Sequence, residues 1–266
     1  MSTGADNWNQ HWVQFGATAE LGPTPKYRRR LIWKLLDLHD PDASVRLVEI
    51  GSGTGEFAAE FCARYPRSSF LGLELSQVGV EAASRRVPTA HFQQCDLLLP
   101  ARADAVVNFC ATYALCSEVL EHLEAPVTLL QNAAAYMQTG CKLIVTVPGG
   151  PMNAFYRHIG HRRHYSPQEL RQLLESAGFR TERVYAAGFP FFNLFRVFLT
   201  IRGAKLVQDI SGPPSSLVRF GALLWDFLFR FNWMRWGWQT VAVARWVGHE
   251  PSSDRVPSRT LMHKGK

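Results

Sequence analysis

Between residues 44 and 188 the chain alternates between two hydrophobic periods. Short apolar or β-branched runs at 45–50, 70–75, 90–94, 113–116 and 143–147 predict strands. Between them, residues 56–65, 77–86 and the stretch from the fourth strand through Gln138 carry apolar positions at helical spacing. Residues 101–111 read two ways. Val106, Val107, Asn108, Phe109 and Cys110 form a strand or a lead-in to the strand at Tyr113, and the later strand is preferred because it runs directly into a polar turn and helix. Ahead of this region, Tyr27, Leu31, Ile32, Leu35 and Leu36 predict a helix over 25–38 with Arg28, Arg29 and Arg30 outward, ended by Asp40-Pro41-Asp42.

Beyond the fifth strand, which Pro148-Gly149-Gly150 closes, Ser166 caps a helix, Pro167 takes its first position and Glu169 completes a capping box. That helix stops near Gly178. Residues 181–187 and 238–244 read as the last two strands. Strands alternating with helices of this length indicate an α/β fold: a doubly wound, seven-stranded, mostly parallel sheet whose last strand is antiparallel. The expected organisation is an N-terminal helical lid (1–40), a core (41–188 and 236–250) and an aromatic helical cap (189–235) inserted before the final strand.

Composition narrows this only a little. The chain has 266 residues, 47% of them hydrophobic and 19% charged, enough for a large core and too apolar for disorder. The five cysteines form no CxxC pair and have no histidines at metal spacing, so free thiols and a cytoplasmic setting are expected. MSTGADNWNQHW lacks the pattern of a secretory signal, and no apolar run is long enough for a spanning helix. The net charge of +7 admits anionic substrates, membrane headgroups or nucleic acid without choosing among them.

The chemistry starts at Glu49-Ile50-Gly51-Ser52-Gly53-Thr54-Gly55, a side-chain-poor turn at the end of the first strand, where open α/β sheets bind ligands. Glycine serves there because a ligand approaches the backbone closely. Glu56 stands where a dinucleotide fingerprint needs glycine, and no G-K-[ST] ends the turn, so both phosphate readings are weak. The acids favour another ligand. Glu49 would repel a pyrophosphate but suits the ammonium or sulfonium of S-adenosylmethionine. Glu74, ending the second strand, is placed for the ribose hydroxyls, and Asp96, after the third, for the adenine amino group.

These segments resemble the class I S-adenosylmethionine-dependent methyltransferases over roughly residues 44–187, with the final strand near 238–245. VEIGSGTGEFA resembles the family's first motif, LGLELS (with Glu74 and Leu75) its ribose-binding strand end, Asp96-Leu97 its adenine-side position and SEVLEHLEAP its fourth-strand motif. LIVTVP is similar to the fifth-strand motif, and GHRRHYSPQELRQLLESAGF resembles a subgroup that methylates small molecules, including quinone-type and sugar- or polysaccharide-pathway substrates. The resemblance implies S-adenosyl-L-methionine as cofactor, with Ser117 and Glu118 lining its pocket and His122 in the following helix.

Methyl transfer from a sulfonium is an in-line displacement that depends chiefly on alignment. A hydroxyl acceptor also gains roughly 10²–10⁴-fold from a general base, usually histidine. Either His161 or His164, in the loop after the fifth strand, is a candidate base, while Arg163 and Tyr165 orient substrate or pin the loop; the competing reading is that His164 and Tyr165 only anchor the loop before the capped helix. His122 reads as a packing or hydrogen-bonding residue beside Leu120 and Leu123. His161 with His164 gives too few ligands for a metal, so none is expected. Trp8, His11, Trp12 and Phe15 form an amphipathic helix that either closes over the cofactor, with Trp12 at the substrate, or packs on the sheet.

The insertion carries one apolar stripe at Phe191, Phe192, Phe195, Phe198 and Leu199, interrupted by Arg196 and Arg202. A second comprises Leu217, Phe220, Leu223, Leu224, Phe227, Leu228 and Phe231, with Arg219 and Arg230 nearby, and Trp233, Trp236 and Trp238 follow. Either the stripes cap the substrate site, or residues 189–238 rest on a membrane and admit a lipid-linked acceptor. The arginines are too scattered, and the segment too apolar, for nucleic acid. The expected activity is methyl transfer to oxygen or nitrogen of a small molecule. The alternatives are a membrane-held quinone, lipid or lipid-linked sugar as acceptor, and a non-catalytic cofactor-binding protein.

Overall fold

The computed structural model describes residues 8–10, 12–13, 22–99, 107–209 and 216–248. Seven strands form one sheet: β1 (Arg46–Ile50), β2 (Ser69–Glu74), β3 (His91–Gln94), β4 (Ala111–Ser117), β5 (Met137–Pro148), β6 (Phe179–Ala187) and β7 (Gln239–Trp246). Their order is β3-β2-β1-β4-β5-β7-β6, with β7 antiparallel to both neighbours. The order reverses between β1 and β4, which pair in parallel with Glu49 opposite Leu115. That switch point places the glycine turn at the carboxyl edge where a ligand crevice opens.

Alternating residues of the central strands feed two buried clusters, one on each face. Val48, Ile50, Leu71 and Leu73 join one; Leu47, Phe70, Leu115 and Ile144 join the other. The second is covered by α1 (Pro23–Leu36) and α2 (Glu56–Arg64), with α3 (Gln77–Arg86) closing the β2–β3 end. The expected lid over residues 1–40 therefore divides. Tyr27, Leu31, Ile32, Leu35 and Leu36 of α1 are buried in the core, and of the segment before it only residues 8–10 and 12–13 are described, all helical. His11 and Phe15 lie outside the described residues.

Several local expectations shift. The helix expected to run through Gln138 ends earlier: α4 (Pro126–Ala133) passes through a 3₁₀ turn (Ala134–Tyr136) into β5, already extended at Met137. The helical periodicity misled there because the turn keeps Tyr136 and Met137 inward while the backbone extends. Residues Val107–Phe109 form a 3₁₀ turn that leads into β4, which starts at Ala111. His122 stands on a 3₁₀ turn (Leu120–His122) rather than on a helix. A short helix, α5 (Ala154–His158), follows β5 and was not foreseen. In α6 (Pro167–Ser176) both halves of the Ser166–Glu169 capping box are formed.

The insertion supplies α7 (Phe191–Asp209) and α8 (Ser216–Leu228) between β6 and β7. Phe192 and Phe229 are buried against Tyr27 of α1, Phe195 is buried against Phe229, and Arg30 binds Asp226 at 2.7 Å. Arg196, which interrupts the first stripe in sequence, is buried. It donates to the carbonyls of Gly149 (2.7 Å) and Trp238 (2.6 Å) and to the Tyr156 hydroxyl (2.6 Å). The second stripe faces outward: Phe220, Leu223, Leu224, Phe227 and Phe231 are all exposed.

Candidate active site

The turn after β1 is held open by its backbone. Gly51 and Ser52 donate to the Leu73 carbonyl (2.8 and 3.2 Å), joining the turn to β2. Gly51, Gly53 and Gly55 have φ of 70°, 54° and 82°, the left-handed region that penalises a side chain. A Cβ on Gly53 would sit 2.9 Å from the Trp12 ring, and one on Gly55 would sit 3.1 Å from the Ala83 backbone. The cradle thus exists only because these positions lack side chains.

Glu74 is buried at the foot of this turn. Its oxygens accept from the backbone N–H of Gly53 (2.8 Å) and Ser76 (2.9 Å). Burial raises its pKa, and hydrogen bonds from Ser76, Gly53 and Trp12 oppose that rise. Each carboxylate oxygen retains acceptor capacity for a ligand hydroxyl. Asp96, exposed after β3, accepts from the N–H of Leu98 (2.9 Å), while Leu97 is buried beside it and Leu75 is exposed. Ser117 pairs with the Thr146 hydroxyl at 2.8 Å. Glu118, at φ 56°, accepts from Thr146 and from Gln239 (2.8 Å) and faces Arg28 at 3.4 Å.

A cavity of about 110 Å³ opens between these elements, lined among others by Trp8, Trp12, Gly51, Glu74, Asp96 and His122. It is smaller than the several hundred Å³ of typical ligand pockets, and the Trp12 indole stands directly on Gly53. Trp12, expected at the substrate, therefore sits on the glycine turn. Glu49 is not among the lining residues. It is buried near Glu56, Glu74 and Arg29 with Oε2 lacking a hydrogen-bond partner among the described residues. Burial first, then the Glu56 and Glu74 carboxylates, push its pKa well above the usual range, while Arg29 opposes them. A cationic ligand would relieve that site. The glycine cradle, the buried Glu74 and the unsatisfied Glu49 thus fit S-adenosylmethionine.

The opposite wall is a histidine cluster. His164 Nδ1 lies 3.1 Å from the Gly150 carbonyl, which only accepts, so this nitrogen carries the proton and Nε2 is an acceptor. His161 Nδ1, 3.2 Å from that Nε2, is then the donor, and His161 Nε2 holds a lone pair. His122 Nδ1 donates to the Gly160 carbonyl (3.1 Å), leaving its Nε2 as an acceptor as well. Burial, then neighbouring His122, His164 and Arg196, push the His161 pKa down to about 2. Burial and Arg196 push His164 down to about 4. Both rings are neutral near pH 7.

Of the two remaining loop residues, Tyr165 is buried, with its hydroxyl donating to the Leu120 carbonyl (3.1 Å). That contact ties the loop to the turn at Leu120. Burial raises its pKa to about 12. Arg163 is exposed, and its backbone N–H approaches the Glu121 carbonyl (3.4 Å). Sequence reasoning missed Arg28, Gln239 and Glu121. The first two reach Glu118 from opposite ends of the chain, and no local signal marks them. Glu121 lay inside the quoted fourth-strand motif beside His122, and that adjacency was the available clue.

Residues 24–184, well over half of the chain, match the family model described as a methyltransferase domain. Many solved structures share the fold. Phosphoethanolamine N-methyltransferase 2 of Haemonchus contortus, in complex with S-adenosyl-L-methionine, superposes with a TM-score of 0.60 at 13% identity, over 92% of this chain and 61% of that one. Geranyl diphosphate C-methyltransferase of Streptomyces coelicolor A3(2) gives 0.55 at 14% identity, over 84% and 76%. The [4+2]-cyclase SpnF gives 0.54 at 18%, over 82% and 80%. No curated protein sequence matches the chain. With the family model, the switch-point turn and the acids around it in agreement, the chain belongs to the class I S-adenosylmethionine-dependent methyltransferases.

Proposed function

We propose that the protein methylates an oxygen or nitrogen of a small-molecule acceptor that enters beside the histidine cluster. One observation carries this reading: His122 lines the cofactor cavity, and its ring centroid lies 4.9 Å from that of His161. The groups able to activate an acceptor are thus one ring contact from the cofactor space. S-adenosylmethionine, when bound, supplies an electrophilic methyl on a sulfonium. Glu74 and Asp96 would accept hydrogen bonds from its ribose and adenine, and Glu118 borders the same space. His161 Nε2 faces the acceptor's departing proton, and His164 fixes the ring that presents it. Neighbours of the same fold methylate at nitrogen or carbon or, in name, catalyse a cyclisation, so the acceptor must be read from this wall rather than from the fold.

The test is calorimetric titration with S-adenosylmethionine, followed by product mass on a panel of phenols, sugar hydroxyls and amines. A gain of one methyl on a hydroxyl or amine is expected. Binding without transfer to any panel member would instead support a non-catalytic cofactor-binding role.

A second reading, a membrane-held acceptor, has its own observation. The exposed stripe on α8 is flanked by exposed Arg219, Arg230 and Arg235 and by exposed Trp233 and Trp236, a composition suited to an anionic lipid surface. Among the described residues no helix is long and apolar enough to cross a membrane, so the contact would be peripheral. Sedimentation with anionic vesicles should then pellet the intact chain but not a Phe220→Ser/Phe227→Ser variant. Equal recovery in the supernatant removes this reading.

A further inference from the structure

Glu121 is wholly buried, and neither of its carboxylate oxygens has a hydrogen-bond partner among the described residues. A buried carboxylate without partners is strongly unfavourable. Protonating it leaves the difficulty in place, because the resulting O–H would be a buried donor without an acceptor. The methyltransferase reading makes no use of this residue, and something in the native site must satisfy it.

The surroundings say what. One ligand atom from each of Glu121, His122 and His161 lies within 4.8 Å of the other two, and Glu121 Oε1 is 3.9 Å from His122 Nε2. The hydrogen bonds assigned above fix the tautomers. His122 donates through Nδ1 to the Gly160 carbonyl, and His161 donates through Nδ1 to His164, itself held by the Gly150 carbonyl. Both imidazoles therefore carry their Nε2 lone pairs, and each is oriented by a donor bond from its other nitrogen. Metal-binding histidines show this arrangement, with the outer bond setting ring and tautomer. Two neutral imidazoles and one carboxylate are a recurrent ligand set for a divalent transition metal that keeps a position open for substrate. Tetrahedral bonds of 2.0–2.2 Å put ligand atoms roughly 3.4 Å apart, so binding needs a contraction of about an ångström.

Two arginines bear on the cluster. Arg28 is countered by the Glu118 carboxylate, whereas Arg196, held by the neutral Tyr156 hydroxyl and the Gly149 and Trp238 carbonyls, keeps its charge, which the Glu121 carboxylate must outweigh for an ion to bind. We infer that Glu121, His122 and His161 bind a divalent transition-metal ion, such as zinc or manganese, at the acceptor side of the cofactor cavity. This rests on the methyltransferase reading and deepens it. With the ion in place His161 Nε2 serves as a ligand and no longer as the base: the ion would act as a Lewis acid on an acceptor hydroxyl, whose O–H bond breaks with the proton passing to water and the electron pair remaining on oxygen.

The test uses the full chain, freed of metal by chelation and without a histidine tag, titrated with Zn²⁺ and, separately, Co²⁺. One equivalent of zinc is expected to bind, and Co²⁺ to give the intense visible absorption of a low-coordinate site. Glu121→Gln and His161→Ala should each weaken zinc binding at least about 100-fold. Unchanged S-adenosylmethionine affinity serves as the check that each variant is folded. Should Glu121→Gln fail to fold, His161→Ala and the cobalt spectrum still decide. No saturable binding to the wild-type chain, or equal binding in folded variants, overturns the inference and leaves Glu121 as a protonated acid. Failure of the metal-free chain to bind S-adenosylmethionine would instead strike the methyltransferase reading, which the metal titration does not touch.

Discussion

The glycine turn and the histidine cluster border the same cavity but are assembled differently. The turn is one contiguous segment, residues 49–55, whose work is done by backbone: N–H groups tied to Leu73 and Glu74, and positive φ where side chains are absent. The cluster takes Glu121 and His122 from one loop and His161 and His164 from another, and its work is done by side chains whose lone pairs are set by hydrogen bonds. The first wall recognises a ligand shape shared across the family. The second is set by which side chains two separate loops bring together, and it is the wall at which the proposed acceptor would be read.

This contrast can be broken most forcefully at the turn. Gly55→Val places a Cβ against the Ala83 backbone at φ 82°. It should cost about 1–3 kcal/mol of stability and raise the cofactor Kd by more than about 100-fold, measured by thermal melting and calorimetry. Retained affinity would mean that the backbone cradle is not what binds. On the other wall, His164→Ala frees His161 Nδ1 and should reduce kcat roughly 10–100-fold with cofactor Kd unchanged. A parallel loss of cofactor affinity would dissolve the distinction between the walls.

The smallest effect is expected at Glu49. Its pKa is raised in the folded chain, so the folded state holds the proton more tightly than the unfolded one, and stability falls as pH rises above the ordinary carboxylate range. Glu49→Gln should flatten that loss, seen as a smaller difference in Tm between about pH 5 and about pH 8. It should also weaken the cofactor by about tenfold or less. An unchanged pH slope would show that Glu49 is not the group responsible.

Legibility in the sequence follows the same division. The turn, Glu74 and Asp96 were readable because each is tied to the end of a strand that announces itself by local pattern. The capping box at Ser166 and Glu169 was readable because both partners sit within one helical turn. His122, by contrast, looked like a packing histidine: its relation to His161 exists only once two loops meet. Arg28 and Gln239 converge on Glu118 from some 90 and 120 residues away. Periodicity found both stripes of the insertion but carries no direction, so it did not reveal that Phe192 and Phe195 turn inward while Phe220 and Phe227 turn out. The onset of β5 was lost because a 3₁₀ turn continues the inward spacing of a helix while the backbone extends.

The attachment of the insertion has one further consequence. Residues 188–238 replace what would otherwise be the short turn of the β6–β7 hairpin, and their root is fastened. Arg196 ties Gly149 to Trp238, Asn193 accepts from Trp238 N–H, Asn232 accepts from the N–H groups of Phe191 and Phe192, and Phe189 bridges Trp233. The entropy of closing a loop grows only slowly with its length. A segment clamped at its base can therefore lengthen, shorten or change its outer face while the hairpin register and the cofactor edge stay put. Such a graft point confines change to the outer surface and leaves the catalytic domain beneath it undisturbed.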